Sequence, residues 1–261
     1  MATVAAPGSS VAPAIRARGR FYFHLSLVCL AVGVLGFAPT YWVQVPLGTF
    51  NGTPLVHVHG IVFTGWLLLL VGQNWRIAQG RLDHHRAWGL AGVSLATMML
   101  LVGLATAIAG LDHRIDAGYA EAGRSFLIVP FASITLFFAF FVAAVANIRR
   151  PEWHKRFIFV ATSIALVPAV ARMFQLANFG WSLGMRPAMR PPPPVTASLG
   201  PIVVCSLIIV IGMVHDWRTR GKIHPAWTIG LAITLVVAVS RLPFSQTEAW
   251  HAFADWTTRL T

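Results

Sequence analysis

Histidines mark the thresholds of the apolar runs in this chain. His57 and His59 open one run in LVHVHGIVFTGWLLLLVG, and His84 and His85 open another in LDHHRAWGLAG. His154 opens a third in WHKRFIFVATSIALVPAVAR, which carries Arg172 near its far end. Near neutral pH an imidazole can ligate a metal, carry a proton or pair with a polar group. Neighbouring residues on a helix point about 100° apart, and residues two apart about 200°. One member of each doublet, His57 or His59 and His84 or His85, therefore faces a bundle interior. One inward imidazole from each of two helices is the ligand set of a bis-imidazole haem iron. His85 and His154, at nearly one depth, are the candidate iron ligands at one end, with His84 as the alternative within its doublet. Haem b is the cofactor this pairing suggests.

Arg172 lies about eighteen residues beyond His154, or roughly 27 Å along a helix, level with His57 and His59. Among apolar neighbours an arginine is costly unless it faces a partner or a wet cavity. No carboxylate falls at that depth inside an apolar run. The remaining partners are a carbonyl, water, or a ligand such as a quinone head group, a haem propionate or a lipid phosphate. Pro168, four residues earlier, removes a helical hydrogen bond and should kink this segment beside the arginine.

The elements that must carry these side chains follow from composition. Hydrophobic residues make up 56% of the 261 and charged residues only 11%, against about 25% charged in soluble domains. Crossing a hydrocarbon layer of roughly 30 Å takes around 20 residues, and seven stretches qualify, at roughly 21–43, 55–76, 87–110, 125–148, 154–178, 198–216 and 223–243. In lipid, runs of this length must be helical. The expected fold is an all-α integral membrane bundle of about seven transmembrane helices, with the lipid bilayer as its first partner.

The formal charge of +12 does not point to nucleic acid, because the basic residues cluster between apolar runs. Arg16, Arg18 and Arg20, then Arg76, Arg81 and Arg86, then Arg149, Arg150, Lys155 and Arg156, then Arg218, Arg220 and Lys222 occupy alternate loops. The positive-inside rule puts those loops and the N-terminus in the cytoplasm and the C-terminus outside. The first apolar run is too long for a signal-peptide core, which fits a multi-pass protein of the cell inner membrane. Residues 1–20 read as a disordered basic tail, 21–243 as the transmembrane domain, and 244–261 as a C-terminal interfacial amphipathic helix. Within that helix Trp250, Phe253 and Trp256 are expected to share a face lying on the outer leaflet or on the bundle. The loop 184–201, with its PPPP run, should be a stiff extended cap. Gly33, Gly36, Gly89 and Gly92 offer small faces for close helix contact.

Several classes drop out. No Gly-rich phosphate loop, His-Glu-x-x-His or Gly-x-Ser-x-Gly occurs. No lysine lies in the last apolar run, as a retinal protein would need. Cys29 and Cys205 lie in apolar runs without a Cys-x-x-Cys motif. The carboxylates all fall in loops or at helix ends, which leaves no carboxylate relay through a bundle.

A span-opening histidine, then HRAWGLAG, then WHKRFIFVATSIALVPAVAR resembles an uncharacterised family of predicted multi-pass bacterial membrane proteins. In that family a span-opening His, a His-Arg followed by Gly, and a later His-Arg segment ending in Arg recur in this order. The matching positions are His57 or His59, His85 with Arg86 and Gly89, and His154 with Arg156 and Arg172. The likeness covers roughly residues 55–175, and Lys155 interrupts a plain His-Arg pair. The placing of histidines at opposite ends of a bundle is also loosely similar to b561-type membrane cytochromes.

Three functional readings stay open at this stage. One is a redox protein holding haem b and exchanging electrons with quinone, through His57 or His59, His84 or His85, His154 and Arg172. Another is a cofactor-free accessory or assembly subunit that docks on a membrane complex through loop 184–201 and the C-terminal helix. The third is a small-molecule or lipid carrier built around Arg172.

Overall fold

The computed structural model describes residues 11–184 and 191–260. Among them are seven helices long and apolar enough to cross a membrane, Gly19–Trp42, Pro54–Ala78, Leu82–Asp116, Ala120–Ala146, Pro151–Asn178, Val195–Arg220 and Pro225–Phe244. The fold is all-α, with no strand among the described residues. Large apolar side chains such as Leu35, Ile61, Leu90, Val203 and Val236 stay exposed, as expected of helix faces turned to lipid rather than to water.

The first helix, α1 (Val11–Phe37), runs into a π-helical turn at Ala38–Trp42. It starts at Val11, inside the stretch expected to be tail, because Ala, Ile and Arg there favour a helix once a long apolar helix follows. Next come α2 (Pro54–Ala78), the one-and-a-half-turn α3 (Leu82–Ala87), α4 (Gly89–Asp116) and α5 (Ala120–Ala146). The fifth span is broken into α6 (Pro151–Ala165) and α7 (Val167–Phe179), with Leu166 between them. Pro168 explains the break, since it has no N–H to give the carbonyl one turn back. A 3₁₀ turn at Val195–Ser198 leads into α8 (Leu199–Arg220), and α9 (Pro225–Phe244) and α10 (Glu248–Thr257) follow. The loop expected at 184–201 is therefore helical from Val195 onward; its Arg186 and Arg190 lie outside the described residues.

The α6–α7 span is the buried axis of the bundle, with 61% of its most apolar window enclosed. It packs against α1, α5, α8 and α9, so side chains it carries are the ones the tertiary structure encloses. Trp66 of α2 donates its indole N–H to Thr162 of α6 at 3.2 Å, and its ring meets Phe137 and Phe141 edge-on at 5.3 and 5.7 Å. Gly36 brings α1 onto the start of α7, where a Cβ would sit 2.5 Å from the Ala169 carbonyl oxygen. Gly89 has nothing within 4 Å of such a Cβ, and Gly92 only Leu69 at 3.8 Å. The expectation of close contact thus holds for the first glycine pair and fails for the second, whose helix start faces open space.

The C-terminal helix docks on the bundle. Trp250 is buried and donates its indole N–H to the Arg124 carbonyl at 2.8 Å, and Arg124 Nε pairs with Asp255 at 2.5 Å. Trp256 is 51% exposed. Trp250, Phe253 and Trp256 do lie ring against ring along one side, at 5.3 and 5.8 Å, and the drift of about 60° per step of three turns that stripe from the bundle outward.

Candidate functional site

Two polar clusters lie at opposite ends of the bundle. At the end away from the basic loops, α2 contributes both histidines of its doublet, and helix rotation sends them to different partners. His57 Nδ1 lies 2.9 Å from the Tyr41 hydroxyl, with the Phe50 ring edge-on at 5.0 Å. His59 turns the other way and stacks on Phe63 at 4.1 Å. Its Nδ1 is enclosed and has no hydrogen-bond partner.

Arg172, placed here by α7, is half-buried, with its Nη1 donating to Gln175 Oε1 at 3.2 Å and its guanidinium 6.0 Å from the Phe37 ring centre. Arg114, from the last turn of α4, lies over Phe126 at 4.9 Å. The Arg172 charge acts on His59 and the Arg114 charge acts on Arg172, so the three groups form one neighbourhood. The Nε atoms of both arginines are enclosed without a partner. Among the described residues no ion pair includes Arg114 or Arg172. Guanidinium N–H groups can only donate, so the enclosed Nε–H groups of Arg114 and Arg172 are donors without a hydrogen-bond partner among the described residues. Arg241 repeats the theme on α9: it is 4% exposed and donates to Ser198 Oγ at 2.5 Å, and its Nε is unpartnered.

At the basic end the structure brings His85 and His154 together, with ring centroids 6.4 Å apart and planes at 74°. His84, on the same short helix, is exposed, so His85 is the inward member of its doublet. His154 Nδ1 lies 2.9 Å from the Ala144 carbonyl oxygen. A carbonyl only accepts, so Nδ1 carries a proton and donates it, which leaves Nε2 as the ring nitrogen not committed to the backbone. Gln73 donates its amide N–H to the His85 carbonyl at 3.2 Å, which turns Oε1 the other way. That oxygen and His85 Nδ1 are both enclosed and unpartnered. No group of three or more His, Cys, Asp or Glu side chains converges among the described residues.

Beside this pair lies an ion network that sequence reasoning missed. Arg156, counted above as a loop charge, is fully enclosed on α6 and grips Asp216 of α8 and Glu152. Its Nε donates to Asp216 Oδ2 at 2.8 Å, and Nη1 donates to Glu152 Oε2 at 2.7 Å. Arg220 closes the ring by pairing with Glu152. Lys155 salt-bridges Glu152 at 2.8 Å and sits 4.9 Å over the Tyr22 ring. The available signal was that Arg156 and Asp216 sit at equal depth from the same end. His224 faces Trp153 edge-on at 4.9 Å, and its Nδ1 accepts the Ala226 N–H at the start of α9. Burial first, and the Arg156 charge second, hold the His224 imidazole below the usual histidine range.

The structure therefore groups His59 with Arg172, sends His57 to Tyr41, pairs His85 with His154 and leaves His84 outside. Comparison of the chain with family models, with curated proteins and with solved structures finds no match.

Proposed function

We propose that this chain is a multi-pass inner-membrane protein of the carrier or lipid-binding class, which holds an amphiphile by its anionic head group at the outer end of the bundle. The carrying observation is the neighbourhood of Arg172, Arg114 and His59, where two guanidinium Nε groups and an imidazole nitrogen are enclosed without partners. An unmade hydrogen bond from an enclosed donor costs about 1–3 kcal/mol, more when the group is charged. A phosphate or carboxylate would satisfy both arginines, with guanidinium forks suited to bidentate contact. The topology read from the loop charges sets this site at the outer headgroup level, where an amphiphile places such a group. The apolar faces of Phe37, Phe63 and Phe126 beside it suit the first carbons of an acyl or isoprenoid chain.

The test is mass spectrometry of lipids that stay with the protein after purification in native-lipid nanodiscs. One acidic amphiphile should be enriched over the bulk membrane, lost in Arg172→Ala and partly kept in Arg172→Lys. Identical lipid complements in wild type and Arg172→Ala would sink the reading.

A further inference from the structure

The basic end presents the converse of the outer site: acceptors with no donors. His154 Nε2 is the ring nitrogen left uncommitted, since Nδ1 donates to the Ala144 carbonyl. Gln73 Oε1 is enclosed and unpartnered because its amide nitrogen is held by the His85 carbonyl. His85 Nδ1 finds neither donor nor acceptor. An uncommitted nitrogen on each of two imidazoles, with an amide oxygen beside them, is a place for a metal centre.

The spacing agrees. A metal–imidazole bond is about 2.0–2.1 Å, and two of them on opposite sides of one metal, with the ring radii added, separate the ring centres by roughly 6 Å. His85 and His154 are at 6.4 Å. Pinning His154 through Nδ1 on a backbone carbonyl is also the support that ligating histidines generally need to hold ring orientation.

The surroundings constrain the charge. Arg76 and Arg86 act on His85 as positive neighbours, and among the described residues no ion pair includes His85 or His154. A centre of low net charge is thus favoured over a bare divalent ion. We propose that His85 and His154 are the two nitrogen ligands of a single low-charge metal centre that takes imidazoles on opposite sides. Two sources share that chemistry: a cuprous ion, which accepts linear two-nitrogen coordination, and the iron of a haem, whose porphyrin dianion offsets the metal charge. This site is independent of the head-group reading, being built from other residues at the other end of the bundle.

The experiment uses the full chain in detergent, with one arm titrated anaerobically with cuprous ion against a chromophoric chelator and one titrated with haemin and followed by absorbance. A single equivalent should bind in one arm or both. A chelator-resistant ion identifies the bare centre, and a Soret band with low-spin bis-nitrogen features identifies haem. His85→Ala and His154→Ala should each weaken binding by tenfold or more, while His84→Ala and His113→Ala leave it unchanged. Gln73→Leu, which keeps both rings, guards against a misfolded ligand variant and should weaken binding by less. Binding in neither arm, or binding indifferent to both ligand substitutions, overturns the proposal.

Discussion

Arg156 of α6 and Asp216 of α8, 60 residues apart, meet through two side-by-side contacts with side chains 0% and 1% exposed. The pair clamps the buried span to its neighbour at the basic end. It also separates two kinds of buried arginine in this protein: Arg156 is compensated by carboxylates, whereas Arg114, Arg172 and Arg241 each keep an enclosed Nε without a partner.

Breaking the compensated pair from one side should be severe. Arg156→Met leaves Asp216 enclosed with the His224 backbone N–H at 3.3 Å and Arg220 at 3.8 Å, and removal of one partner of a buried pair costs about 3–5 kcal/mol. Asp216→Asn should cost a similar amount. The double variant Arg156→Met with Asp216→Leu should lose less than the two single losses added together. Thermal unfolding in a mild detergent reads all three, and strict additivity would mean that the two side chains do not act as a pair.

The opposite sign is expected at Arg172. In ligand-free protein Arg172→Met removes an enclosed donor without a receiver, and the apoprotein should gain on the order of 1–3 kcal/mol. Stability given up for binding is a common pattern at functional sites. A melting curve of delipidated protein that falls on this substitution would show that Arg172 is structural.

His224 gives the pH dependence. Its folded imidazole titrates below the ordinary value of about 6.5, because burial and then the Arg156 charge disfavour the cation. In the unfolded chain the ring protonates first, so its contribution is intact above pH about 6.5 and declines as pH falls toward the lowered folded value. Protonation also costs the Ala226 cap, since Nδ1 is its acceptor. His224→Asn keeps a capping acceptor and should flatten the fall in melting temperature between pH about 7.5 and 5.5. An unchanged pH slope in that variant would assign the effect to other groups.

The glycine contacts predict a contrast. Gly36→Ala forces a Cβ against the Ala169 backbone at 2.5 Å, an overpacking that should cost about 1–3 kcal/mol. Gly92→Ala meets only Leu69 at 3.8 Å and should raise stability by about 0.5–1 kcal/mol through helix entropy. Equal effects would mean that α1 does not approach α7 as closely as described.

The sequence by itself determined the number of spans and the break in the fifth. Length and apolarity are properties of one segment, and Pro168 acts on its own helix. It also set the depth of each histidine and of Arg172, since depth is a count of residues along a helix. Only the tertiary structure decided which of His57 and His59, and which of His84 and His85, turns toward the other helices. One residue is a 100° rotation, and the rotation of a helix is fixed by what packs on it. The pairing of Arg156 with Asp216 was hidden for the same reason: two charges read as loop anchors became core residues only once α6 and α8 were laid side by side.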